Sequence, residues 1–185
     1  ILAGALWRSW QKKIGFWYMH KSVNLKLRIA NFFAHDIFTA TSESFRLESK
    51  KINITGHAID TDFFEFNRNS EPNPVLMIIT TGRLSPIKNI HLLLEAAKYL
   101  EERNFQYQLK IIGTAGTPEH VRYEEQLKQY VSKNNLSKVT FLGAQPYSKI
   151  PLFLRESDLF VNLSDTGSVD KAILEAMATG LPVLT

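Results

Sequence analysis

From residue 75 onward, short apolar runs alternate with stretches of helical period, and this alternation constrains the fold more than any other feature of the chain. Strand-like runs fall at 75–80, 109–112, 139–142, 159–163 and 183–185, and helix-like patterns at 90–100, 123–131, 150–154 and 172–177. Strands that are apolar on both faces need helices covering both faces, which predicts a mostly parallel, doubly wound α/β sheet. Ligands of such sheets bind beyond the carboxyl ends of the strands. The polar stretch 67–74, with Pro72 and Pro74 and no periodicity, reads as an interdomain linker. Ahead of it, strands near 14–19, 37–40 and 51–54 and a helix over 25–33 fit the tail of a second α/β domain spanning 1–66. With no initiating methionine and a last strand cut at Thr185, the chain reads as part of a longer one.

Composition removes several classes. No cysteine occurs, so neither a disulfide framework nor a thiolate metal site can hold the chain together, which suits a cytoplasmic setting better than a secreted one. The triplets beginning at Asn53 and Asn162 read as chance matches to the glycosylation signal, since Asn162 sits in an apolar run with no room for a glycan. The opening apolar segment is too short to span a bilayer, and its cations follow it, the wrong order for a signal peptide.

A net charge of +4 is modest, but Arg8, Lys12, Lys13, Lys21, Lys26 and Arg28 all precede Asp36, the first carboxylate, and all three tryptophans lie there too. Leu6, Trp10 and Ile14 recur at helical spacing, with Ala3 and Trp7 beside them. A surface helix packed by its aromatic face accounts for this most simply. The second reading is peripheral contact of residues 1–28 with an anionic membrane, at its inner face. Nucleic-acid binding is not expected, because the cations cluster at one end and no recognised motif accompanies them.

Two segments carry chemistry. In Thr81-Gly82-Arg83-Leu84-Ser85-Pro86-Ile87-Lys88-Asn89, placed where a strand turns toward its helix, Gly82 permits a sharp turn. Arg83 offers a planar fork for phosphate oxygens and Lys88 a mobile point charge. In the second, Gly167, Ser168, Val169 and Asp170 lead into a short helix whose free amides form an anion site. Glu175 lies about one and a half turns further on, toward the ligand side. A carboxylate amid Ile173, Leu174, Ala176 and Met177 has little structural reason to be there, so its expected work is accepting hydrogen bonds from sugar or ribose hydroxyls. Asp60-Thr61-Asp62 resembles an acidic metal-diphosphate motif, but it lies at the domain crossover, and no metal is expected. His35, His57, His91 and His120 share no ligand spacing.

Five blocks in order make a resemblance specific: Gly82 to Asn89, Ile111-Ile112-Gly113, Phe141-Leu142-Gly143, Ser157 to Ser164, and Leu174 to Val183. Together they resemble family 4 of the retaining glycosyltransferases across 75–185. Trp17 to His20, Phe38 to Ser42 and Gly56 to Asp60 extend the likeness more loosely. The resemblance implies a Rossmann-like donor domain plus the C-terminal part of an acceptor-side domain, the GT-B arrangement. It implies transfer of a sugar from a nucleoside-diphosphate sugar to a hydroxyl of a glycan, lipid or other acceptor, with anomeric configuration retained and no cofactor. Arg83 and Lys88 match the pair that grips the donor diphosphate, Glu175 the carboxylate at the ribose, Gly113 a glycine close to the phosphates, and His20 a histidine facing the transferred sugar. One departure is Gly167, where such enzymes usually carry a first glutamate; Asp170 or the loop amides stand near enough to substitute. A non-catalytic nucleotide-sugar-binding module and a sugar-nucleotide 2-epimerase of similar fold remain the alternatives.

Overall fold

The computed structural model describes residues 3–20, 22–66, 74–165 and 170–185. They form two compact units, Ile1–Ala58 and Ile59–Thr185.

The first unit contains α1 (Gly4–Ser9), β1 (Gly15–Trp17), α2 (Leu25–Phe33), β2 (Asp36–Thr39) and β3 (Ile52–Ile54). Its strands form a parallel sheet in the order β1-β2-β3. Asn24 caps α2 by accepting from the Leu27 amide at 2.9 Å, which satisfies one of the orphan donors of a helix start. At the other end Lys51 Nζ donates to the carbonyls of Asn31 at 2.7 Å and Ala34 at 2.8 Å, a cation where the helix dipole is negative. Leu27, Ala34, Ile37 and Phe45 form the core.

The expected aromatic packing of the N-terminal helix is not what forms. α1 ends at Ser9, because Gln11 turns left-handed (φ 55°), and Ile14 falls outside it. Trp7 and Trp10 are 45% and 63% exposed. The residue that packs is Gly4: a Cβ there would come within 2.7 Å of the Phe33 ring, so α1 approaches α2 through its smallest side chain.

The second unit contains β4 (Leu76–Thr81), α3 (Ile90–Glu102), β5 (Tyr107–Ile112), α4 (Pro118–Lys133), β6 (Val139–Gly143), α5 (Ile150–Arg155), β7 (Leu159–Val161), α6 (Lys171–Ala178) and β8 (Val183–Leu184). All five strands are parallel, in the order β6-β5-β4-β7-β8. Successive side chains of a strand point to opposite faces, and β4 shows the consequence. Ile78 joins one core with Leu93, Leu94, Tyr107, Leu109 and Leu127. Ile79 joins the other with Phe160, Ile112, Leu154, Ala176 and Phe64. Two buried faces on one parallel sheet is the Rossmann-like arrangement.

Ile59–Phe66 group with this second unit, although the sequence reading puts them on the other side of the linker. Phe64 is fully buried in the second core, and Phe66 lies where a side chain at position 180 would be, which Gly180 leaves open. Apart from Pro74, the expected linker lies outside the described residues.

Candidate functional site

Strand order locates the site before any side chain is considered. The chain begins the sheet at β4, builds outward through β5 and β6, then returns to β4's other side with β7 and β8. Connections therefore leave β4 and β7 in opposite directions, and the loops at their carboxyl ends part to form a crevice. A cleft of about 350 Å3 lies there, lined among others by Gly82, Arg83, Gly113, Gly116, Gln145, Asp170 and Glu175.

Two glycines let the backbone close the base of this cleft. Gly113 (φ 133°) lies against Gly82: a Cβ on Gly113 would sit 1.8 Å from the Gly82 carbonyl oxygen. The Gly82 amide donates to Ile112 O at 2.9 Å and the Gly113 amide to Gly143 O at 2.8 Å, so adjacent strand exits are laced together. Arg83 runs from this turn along the cleft wall, its Cδ 2.7 Å from where a Cβ on Gly116 would stand. The Gly116 loop is held in turn by Glu124 on α4, whose carboxylate accepts from the Ala115 amide at 2.6 Å. The Lys128 hydrogen bond, against the opposing effect of burial and with help from the Ala115 amide, holds the Glu124 carboxyl below its ordinary value.

Beyond Arg83, a single 3-10 turn (Pro86–Lys88) carries Lys88, and Asn89 turns left-handed (φ 50°) to start α3. This segment is tied to the exit of β7: Asn89 Nδ2 donates to Leu163 O at 2.9 Å and the Asp165 amide to Ile87 O at 3.1 Å. Lys88 Nζ donates to Asp170 Oδ2 in an ion pair whose side chains are 16% and 20% exposed. Asn162 donates to the same carboxylate oxygen at 3.0 Å. Burial pushes the Asp170 pKa upward, but the bonds from Lys88 and Asn162 outweigh it and hold the carboxyl below the usual range. Asn162 is thus a buried structural residue, with no opening for a glycan.

Glu175 sits on α6, 7% exposed. Tyr147 donates its hydroxyl to Glu175 Oε1 at 2.9 Å, and Lys171 Nζ lies 3.7 Å from the same oxygen. The Tyr147 ring stacks on Phe63, centroids 5.4 Å apart. Burial and the neighbouring Glu175 carboxylate push the Tyr147 pKa up, so the phenol stays protonated and remains a donor.

Of the residues singled out from sequence, Gly82, Arg83, Gly113, Asp170 and Glu175 line one cleft, and Lys88 reaches it through Asp170. Gly167, Ser168 and Val169 lie outside the described residues. His20 belongs to the first unit, three residues beyond β1, its ring 5.5 Å from that of Tyr18. Sequence reasoning missed Tyr147, Asn162 and Glu124. The first two are non-local partners with no local signal, and Glu124 lies on a helix face that reads as ordinary solvated charge. Asp60 accepts from the Phe63 amide at 3.0 Å, a turn-capping bond that gives the acidic triplet a structural use. Among the described residues no group of three His, Cys, Asp or Glu could hold a metal ion, and no helix is long and apolar enough to cross a membrane.

The family model described as glycosyl transferases group 1 matches residues 60–185. The amylovoran biosynthesis glycosyltransferase AmsK of Erwinia amylovora is 28% identical over 144 residues, 74% of this chain and 34% of that protein. The putative colanic acid biosynthesis glycosyltransferase WcaL of Escherichia coli K12 is 25% identical over 157 residues, 81% of this chain and 37% of its own length. The chain therefore spans about a third of the curated relatives it matches. Among solved structures, Anabaena HepE in complex with UDP and glucose superposes with a TM-score of 0.80 at 19% identity, covering 98% of this chain and 55% of that one.

Proposed function

This chain belongs to the glycosyl transferases group 1 family, and from that premise we propose that its second unit holds the donor of a sugar transfer from a nucleoside-diphosphate sugar to an acceptor hydroxyl, with retention of anomeric configuration. The observation that carries the reading is the meeting of Arg83, Gly113 and Glu175 in one cleft at the sheet's switch point. Solved relatives of this fold carry UDP with a sugar, as in HepE with UDP and glucose. The curated relatives AmsK and WcaL are named for the biosynthesis of bacterial exopolysaccharides, and a growing glycan is the acceptor class we assign here.

In the proposed reaction the bond between the anomeric carbon and the diphosphate oxygen breaks, a new bond forms to the acceptor oxygen, and the acceptor's proton leaves with the diphosphate. Negative charge grows on the departing diphosphate as the anomeric carbon becomes cationic. Groups that bind that charge more strongly in the transition state than in the ground state lower the barrier. Arg83 and Lys88 are assigned to the diphosphate. The close backbone at Gly82 and Gly113 lets phosphate approach the strand ends, and Glu175, steadied by Tyr147, is assigned to the ribose hydroxyls. His20 is assigned to the transferred sugar on the family resemblance alone. No metal enters this scheme, because cationic side chains fill that role. The exposed Trp7 and Trp10 beside Arg8, Lys12 and Lys13 are assigned to peripheral contact with an anionic membrane, which vesicle flotation tests directly.

The test of the donor reading is turnover by the intact protein across UDP-, GDP- and ADP-sugars, followed by product stereochemistry. One donor giving an α-linked product from an α-linked sugar supports it. Inversion at the anomeric carbon, or the absence of both donor binding and transfer, overturns it.

A further inference from the structure

The cation assigned to the donor diphosphate is already neutralised inside the molecule. Lys88 and Asp170 stand 82 positions apart in the chain, yet Lys88 Nζ bonds Asp170 Oδ2, and both side chains are mostly buried. Asn162 donates to that same oxygen at 3.0 Å and is itself fixed, its Oδ1 accepting from the Ser164 amide at 3.0 Å. Asp170 also lines the cleft that contains Arg83 and Glu175. A carboxylate at that point faces whatever anion enters.

Resting on the donor-site reading above, we propose that Asp170 is an internal counter-ion that holds Lys88 in the empty site and competes with the diphosphate for it. An arriving diphosphate must share or take Lys88 while lying beside the Asp170 charge. The pair therefore weakens retention of the anion and favours release of the nucleoside diphosphate once the sugar has left. In this role Asp170 is a positioning residue acting through Lys88.

Asp170→Asn separates this role from a structural one, because asparagine starts a helix about as well as aspartate while losing the charge. Calorimetric titration of the intact protein with UDP, GDP and ADP, and with the matching nucleosides, gives the readout. The counter-ion role predicts roughly tenfold tighter binding of the diphosphate in D170N, on the order expected for one unit charge facing a polyanion at a partly buried site. Nucleoside affinity stays unchanged, and the gain disappears when Lys88→Met is added. A merely structural Asp170 would alter nucleoside and diphosphate affinity together or leave both alone. Equal or weaker diphosphate binding by D170N overturns the inference while the donor reading stands. Failure of all three diphosphates to bind the unaltered protein removes the donor reading and this inference with it. A crystal structure of the unaltered protein with the bound diphosphate gives a check free of substitutions. Lys88 moved from Asp170 onto phosphate oxygen supports the proposal, and Lys88 left on Asp170 out of phosphate reach contradicts it.

Discussion

Gly113→Ala should be the most damaging small substitution in the second unit, by an amount that follows from the geometry. A Cβ there would stand 1.8 Å from the Gly82 carbonyl oxygen, whereas carbon and oxygen ordinarily approach to roughly 3.3 Å. The two backbones must therefore part by about 1.5 Å, and the obstacle is a carbonyl that cannot rotate away like a side chain. The φ of 133° adds strain that a non-glycine residue carries at about 1 to 3 kcal/mol. Overpacking of a fixed neighbour costs a further 1 to 3 kcal/mol or so. A loss of about 4 kcal/mol lowers Tm by more than roughly 10 °C for a unit of this size. Gly143→Ala is the matched control: its φ is 68° and nothing lies within 4 Å of the added carbon, so only left-handed strain of about 1 to 2 kcal/mol remains. Scanning calorimetry of both variants, with nucleoside-diphosphate titration of each, reads the difference. Equal shifts in Tm would refute the claim that Gly113 is required by close approach at the base of the cleft.

Arg83→Ala should reduce sugar transfer by roughly 10²-fold or more with little change in unfolding temperature, measured by steady-state kinetics of the intact protein. Near-normal turnover would remove Arg83 from the diphosphate site. Tyr147→Phe keeps the stack on Phe63 but deletes the hydrogen bond to Glu175. Donor affinity should fall by roughly ten- to a hundredfold, in line with roughly 1.5 to 3 kcal/mol for hydrogen bonds to charged groups, and isothermal titration decides it. For Glu124 the folded pKa lies below its ordinary 4.5, so the folded state binds the proton less readily than the unfolded one. Its stabilisation is therefore complete above about pH 4.5 and is lost as pH falls through the lower folded value. Glu124→Gln should flatten that part of the acid-unfolding curve, and an unchanged acid limb would contradict the assignment.

Where order along the chain determines structure, the residues were readable. α2 runs over 25–33 as expected, because its cap Asn24 and its apolar spacing are both local. The strands of the second unit fall within two residues of their expected ends, since uninterrupted apolar runs need no partner to be recognised. α4 starts at Pro118, five residues ahead of the periodic stretch at 123–131: Thr117 and Pro118 begin the helix while its first turn is polar. β7 stops at Val161 although the apolar run reaches 163; beyond it the Asn162 side chain accepts from the Ser164 amide. The site divides in the same way. Arg83 follows Gly82 at a strand exit and Glu175 lies within a short helix that ends ahead of Gly180, patterns that are local. The Lys88–Asp170 pair and the Tyr147–Glu175 bond join segments 82 and 28 residues apart, and only the sheet's strand order brings them together.

The claim on which the rest depends is that Arg83, Lys88 and Glu175 serve one bound nucleoside diphosphate. A crystal structure of the intact protein with its nucleoside diphosphate tests this directly. The account predicts phosphate oxygens within hydrogen-bond reach of Arg83 and Lys88, and ribose hydroxyls on Glu175. A nucleotide seated away from the carboxyl ends of β4 and β7, touching none of the three, would contradict it.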